Sequence, residues 1–384
     1  MDTVKLYEHD SYLTEFTARV LACEPGKRGF GVVLDRTAFY PEGGGQPWDT
    51  GTLGDAAVLE VHDKNGQVVH TCDKALEPGS QVTGRIDWAR RFDLMQQHSG
   101  EHILSGLICQ RYGCDNVGFH LGGDVVTIDF NHLIPNEDLD DLELAANRVI
   151  WANRETQVLY PTPEDLAQLP YRSKKALSGQ VRIVRFPEAD TCACCGTHVH
   201  RAGEIGLLKI LSCVRFREGV RLEIVAGERA LRYVNKILDQ NRQVSQQLSA
   251  KVFETAAAVK RLAQEHEALE YRLTGLENAE FAQVAEDLRD RGDVLVFRRD
   301  LDADGVRRLA IAVQDTCGGR CAIFSGSDED GYKYVLAEPG GDIRELGQMM
   351  NQMLRGRGGG KPGFVQGTVQ ATRSEIHGFF ELFA

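Results

Sequence analysis

The sequence predicts an α+β protein in four parts: a β-barrel-like domain over residues 1–90, an α+β metal-holding domain over 91–228, a helical arm over 229–290 and a small α/β domain over 291–384. Three observations carry this reading. Short alternating apolar runs, broken by Gly, Pro and Asp, fill the first part. A helical period takes over at Trp88 and brings His98 and His102 onto one face. The pairs His98/His102 and Cys194/His198 each offer two metal-ligand side chains four residues apart.

In the first part, runs at 17–21, 31–34, 58–61 and 67–70 read as strands of a small barrel or meander. Among them stands Arg36-Thr37-Ala38-Phe39-Tyr40-Pro41-Glu42-Gly43-Gly44-Gly45-Gln46-Pro47. Gly43, Gly44 and Gly45 permit positive φ and close approach by another chain or a ligand. Thr37, Phe39, Tyr40 and Gln46 supply hydroxyl, ring and amide groups suited to a small polar pocket.

The helix that starts at Trp88 runs to about Tyr112 and is followed by a strand at 125–130, a helix at 139–156 and strands at 181–186 and 221–225. This order suits α+β packing better than repeated βαβ units. From Arg229 to Leu276 a polar stretch carries Leu231, Val234, Leu238, Val259, Leu262, Leu269 and Leu273 at helical spacing, which reads as an arm or an antiparallel hairpin. Its apolar stripe needs a partner, either itself or a second copy of the chain. The last part alternates strands at 294–298, 309–313 and 322–324 with a helix at 343–354, and ends in the glycine-rich run 355–363.

Composition bounds the class. A length of 384 residues suits two or three domains, and a net charge of −12 argues against a general nucleic-acid coat or a polybasic membrane anchor while permitting local basic faces. No apolar run approaches a membrane span, and Met1-Asp2-Thr3-Val4-Lys5 lacks signal-peptide character, so a cytoplasmic protein is expected. The ten cysteines are scattered rather than arranged as a disulfide framework. Cys192, Cys194 and Cys195 crowd the proposed metal site, and Cys317 and Cys321 read as core residues.

Thiolate with imidazole selects zinc over magnesium or calcium, so His98, His102, Cys194 and His198 are expected to hold Zn2+. Such a zinc is a fold staple or a hydrolytic Lewis acid. Glu101, between the two histidines, is the candidate to activate water; its alternative is to fix a histidine ring or to sit in solvent. The fragment His98-x-x-Glu101-His102 also fits the inverted zinc-peptidase pattern, although the Cys194/His198 pair fills the remaining ligand positions better than a distant glutamate would. A third reading is a zinc-stapled RNA-binding module without catalysis.

Several motifs occur together: Thr37-x-Phe-Tyr-Pro-Glu-Gly-Gly-Gly-Gln46, His98-x-x-x-His102, Cys194-x-x-x-His198 before Gly203-Glu204-Ile205-Gly206, Arg221-x-Glu223 before Gly227-Glu228-Arg229, and Gly358-Gly359-Gly360-x-Pro362. In these the chain resembles the long-form AlaX proteins, free-standing relatives of the alanyl-tRNA synthetase editing domain joined to a C-terminal DHH-associated domain. The resemblance implies hydrolysis of the ester in tRNA(Ala) mischarged with serine, or with glycine. It assigns His98, His102, Cys194 and His198 to zinc and Thr37 to sensing the serine hydroxyl, and hydrogen-bond logic adds Gln46. It departs from the family at Cys195, often glycine there, and at Glu101, where synthetase editing domains commonly carry a small residue. No ATP-using aminoacylation domain precedes the barrel, so hydrolysis alone is expected.

For tRNA, Gly43, Gly44 and Gly45 are expected near the substrate. Arg355, Arg357, Gly358, Gly359, Gly360 and Lys361 are expected on phosphates, where bare amides and cations both reach oxygens. Arg85, Arg90, Arg91, Arg172, Lys174, Lys175, Arg182 and Arg185 are further basic positions. A homodimer would form through the arm or the C-terminal domain.

Overall fold

A computed structural model describes residues 2–173 and 180–382, so Lys174 and Lys175 lie outside the described residues. The chain divides into two compact units, Met1–Arg242 and Gln243–Ala384.

The first unit begins with a closed antiparallel barrel. Its six strands follow one another around the wall as Glu15–Gly26, Gly29–Leu34, Gln67–Cys72, Ala56–Lys64, Gly51–Leu53 and Gln81–Ile86. Alternation builds it: Phe16, Ala18 and Val20 point inward between exposed neighbours and meet Val32, Leu34, Val61 and Val68 in one core. Helix α1 (Trp88–Tyr112) follows directly. Asp87 caps its start by accepting from Arg90 N, and Gly113, at φ 61°, ends it with its N–H on the Cys109 carbonyl.

Helix α1 lies on a four-stranded sheet ordered Leu208–Phe216, Gly219–Ala226, Val126–Phe130, Asn116–Leu121. Two glycines allow a close approach: a Cβ on Gly100 would sit 3.0 Å from the Ala226 Cβ, and one on Gly106 would sit 2.2 Å from the Ala189 carbonyl. The second contact brings the strand Asp190–Ala193 against α1. That strand belongs to a three-stranded sheet with Ile183–Phe186 and Gln157–Leu159. Helix α2 (Leu139–Trp151) stops short of the expected 156, and Asn153 just beyond it takes the left-handed conformation at φ 50°. A short α3 (Pro163–Gln168) and a long α4 (Gly227–Gln247) complete the helices described here.

In the second unit, α5 (Thr255–Asp287) leads into a five-stranded sheet ordered Gly292–Arg298, Gly318–Ser327, Gly331–Ala337, Phe364–Val369, Arg357–Lys361. The first pair is parallel and the others antiparallel. Helices α6 (Ala303–Gln314), α7 (Arg344–Met353) and α8 (Arg373–Glu381) accompany it. The expected strand at 309–313 is therefore helix. Asp302 caps it by accepting from Gly305 N, and Val306, Leu309, Ala310 and Val313 bury one face at helical spacing. The single stretch expected at 229–276 is two helices parted at 248–254, the second running on to Asp287. On α5, Val259, Leu262, Leu269, Leu273 and Leu276 stay exposed among the described residues. No described helix is long and apolar enough to cross a membrane.

Candidate metal centre

Four side chains from two segments converge in the first unit. His98 and His102 come from successive turns of α1; Cys194 and His198 come from the turn after the strand Asp190–Ala193. Their ligand atoms lie within 4.8 Å of one another. Cys194 Sγ stands 3.6 Å from His98 Nε2 and 3.3 Å from His198 Nε2. Tetrahedral zinc with ordinary Zn–S and Zn–N bonds requires such atoms about 3.5 Å apart, so the donor set fits that ion.

Each histidine is oriented through its other nitrogen. His98 Nδ1 lies 2.8 Å from Gln46 Oε1, whose amide is fixed in turn: Nε2 donates to Thr197 Oγ1 and Oε1 accepts from Thr197 N. His102 Nδ1 lies 2.8 Å from Asp190 Oδ2. An amide oxygen and a carboxylate only accept, so both rings carry their proton on Nδ1 and leave Nε2 free for the metal. His198 Nδ1 meets Ser99 Oγ at 3.2 Å. Asp190 is itself held by Arg172, at 2.8 Å to each carboxylate oxygen.

Without an ion, the four groups share their charge among themselves. Burial opposes ionisation of Cys194, but the rings of His98, His198 and His102 outweigh it and hold the thiol well below its usual range. Burial also acts against charged His102, yet the Cys194 charge and Asp190 raise it to about 9. Burial, followed by the charge of His98, keeps His198 well below an ordinary histidine. The turn is tight: a Cβ on Gly196 would lie 2.3 Å from His98 Cε1. Phe119 covers His98 with ring centroids 5.0 Å apart.

The glycine turn reaches this centre from the barrel. Gly43 and Gln46 exchange backbone hydrogen bonds of 3.1 and 3.0 Å, with Gly44 at φ 58° and Gly45 at φ 87°. Leu121 N donates to the Gly45 carbonyl, and a Cβ on Gly45 would collide with Phe119 at 2.6 Å. Thr37 is fully buried within the barrel; His70 Nε2 lies 2.8 Å from its hydroxyl, which also accepts from Phe39 N. It makes no hydrogen bond to the four ligands.

Glu101, the candidate to activate water, sits in a hydrogen-bonded pocket of the helix interface. Lying about 100° around the helix from His102, it is fully buried, and its Oε1 accepts from Ser105 Oγ at 2.7 Å and Asn116 Nδ2 at 2.6 Å. Those bonds tie α1 to the strand that carries Phe119. Of the extra thiols, Cys195 is exposed, while Cys192 is buried beside His102 and Asp190 and its thiol is pushed upward by burial. Asp190, Ser99, Thr197 and Phe119 had no local signal in the sequence.

Several of the basic positions are engaged within the fold. Arg91 is buried against Asp49, and Arg172 is spent on Asp190. Arg355 donates to the Gln370 carbonyl and to Glu375. The run Arg357–Lys361 is an exposed edge strand of the second unit, paired to Phe364–Val369. Gly360 is required there, because a Cβ would lie 2.0 Å from the Phe364 carbonyl.

Comparison with known proteins adds the following. Residues 11–90 match the family model of class II tRNA synthetases (A), and residues 181–222 match the threonyl and alanyl tRNA synthetase second additional domain. The chain is 30% identical to an alanyl-tRNA editing protein of Mus musculus, covering 98% of this chain and 97% of that one. Against a Xenopus laevis alanyl-tRNA editing protein it is 30% identical over 96% and 95%. An alanine–tRNA ligase of Ignicoccus hospitalis is 37% identical over 64% of this chain but only 28% of its own length. Among solved structures, the C-Ala domain from Aquifex aeolicus alanyl-tRNA synthetase shares 21% identity with a TM-score of 0.21, covering 24% of this chain and 85% of that one.

Proposed function

This chain belongs to the alanyl-tRNA editing proteins, and on that premise we propose that it hydrolyses the ester of tRNA(Ala) mischarged with serine, and also with glycine, using zinc held by His98, His102, Cys194 and His198. The observation that carries the reading is the convergence of three imidazole nitrogens and one thiolate sulfur at zinc spacing, beside a glycine turn supplied by the barrel. Bound zinc supplies a Lewis acid for an ester carbonyl or for water.

The chain's own residues do the rest. Gln46 fixes the His98 ring and ties the glycine turn to the ligand set. Gly43, Gly44 and Gly45 leave bare backbone where an acylated RNA end enters. Thr37 acts through the barrel: its proton goes to His70, its oxygen holds Phe39 N, and the segment leading into the turn is set by that pair. Selectivity for serine then follows from unpaired polar groups when alanine binds. Glu101 positions α1 against the Phe119 strand. Arg357, Gly358, Gly359, Gly360 and Lys361 offer an exposed edge for tRNA phosphates.

The test is to incubate the zinc-loaded protein with Ser-tRNA(Ala), Gly-tRNA(Ala), Ala-tRNA(Ala) and a peptide library, and to repeat it with Cys194→Ala. Release of serine from tRNA, lost in the variant, is expected. Cleaved peptides, or RNA binding without turnover, would overturn the proposal.

A further inference from the structure

Beside His198 lies a small pocket, lined in part by Thr156, Arg182, His9, His200 and Glu8. Two of these side chains carry buried polar atoms with no hydrogen-bond partner, Arg182 Nε and Thr156 Oγ1. Arg182 is only 7% exposed, and among the described residues no carboxylate pairs with it. A guanidinium removed from water without a counter-charge is costly, and so is a hydroxyl left unbonded. Both costs vanish if a small anion with several acceptor oxygens occupies the pocket.

The rim narrows the chemistry. His200 is exposed and stacks on Tyr12 with ring centroids 3.8 Å apart, and His9 lies beside the exposed Tyr160 at 6.3 Å. Flat rings next to an anion hole suit an unstacked nucleotide. Arg182 also reaches the metal turn, its Nη1 donating to the carbonyls of Cys194 at 2.8 Å and Gly196 at 3.0 Å. One guanidinium therefore borders both the pocket and the ligand loop.

We propose that this pocket is a subsite for a phosphate near the acylated 3′ end of the RNA, bound by Arg182 and Thr156. The proposal rests on the deacylase reading above. In it, Arg182 and Thr156 are substrate-binding residues, and the anion fixes the strand relative to the ligand loop.

The test uses the zinc-loaded full chain, with adenosine 5′-monophosphate, adenosine and inorganic phosphate as calorimetric probes. The monophosphate is expected to bind at least tenfold more tightly than adenosine. Thr156→Val, which leaves the metal turn untouched, is expected to weaken it about three- to tenfold and to raise KM for mischarged tRNA similarly, with the change falling on KM rather than kcat. Arg182→Lys is expected to weaken it further, with zinc content measured alongside. Inorganic phosphate binding as tightly as the monophosphate would overturn the nucleotide assignment in favour of a free-phosphate site. Unchanged affinity and KM in both variants, with zinc retained, would overturn the subsite altogether. If no tRNA is hydrolysed yet the monophosphate still depends on Thr156, the deacylase reading falls and the pocket stands.

Discussion

Gln46 Oε1 accepts the Nδ1 proton of His98 across 2.8 Å, joining the barrel's glycine turn to the ligand helix over 52 residues of sequence. The amide thereby sets both the tautomer and the angle of a metal ligand. Gln46→Leu is expected to lower zinc affinity about 10- to 100-fold, read by competition with a chromophoric chelator. Affinity within twofold of the parent would show that the contact does not tune the ligand.

Arg91 and Asp49 form an ion pair with no exposed surface on either side chain. Arg91 Nη1 and Nη2 also donate to the Ser11 and Ala38 carbonyls, and Asp49 accepts from Tyr40 N. Asp49→Ala leaves a buried cation behind, so a loss of about 3–5 kcal/mol is expected in urea unfolding. A loss under about 1 kcal/mol would mean that the pair is dispensable.

The turn at Gly196 leaves no room for a methyl group against His98. Gly196→Ala is expected to displace the ring and reduce bound zinc to well under one equivalent, with far-ultraviolet circular dichroism unchanged. Full zinc content in the variant would contradict this.

His70 is buried in the barrel and burial lowers its pKa to about 4, against 6.5 for a free histidine. Between those values the unfolded chain binds more protons than the folded one. Stability is therefore complete above about pH 6.5 and declines as pH falls toward 4, by on the order of 3 kcal/mol for this group. Denaturant unfolding of the parent and of His70→Gln across pH 7 to 4 checks it. Parallel curves for the two proteins would refute the assignment.

Some of this architecture was legible in the residues, and the failures have physical causes. The extent of α1 could be read from the helical period that begins at Trp88, and Asp87 and Gly113 cap it where that period ends. The run at 309–313 looked like a strand because its Leu-Ala-Ile-Ala-Val composition is apolar throughout. Only the cap at Asp302 and burial on one side make it α6. The four ligands stood out because a spacing of four is a local property. Their supports did not, since Asp190 and Thr197 meet their partners across 88 and 151 residues. The surroundings of Glu101 were hidden for a related reason: its phase on the helix follows from spacing, but its contacts with Ser105 and Asn116 do not.

The docking of Gly45 and Gln46 against Phe119 and His98 has a consequence for how the molecule comes together. All four candidate metal donors reside downstream of residue 91, yet a shortened polypeptide starting there would lack the clamp on one of them. An ion held by this set would therefore depend on a closed barrel as well as on the helix that carries two of the donors.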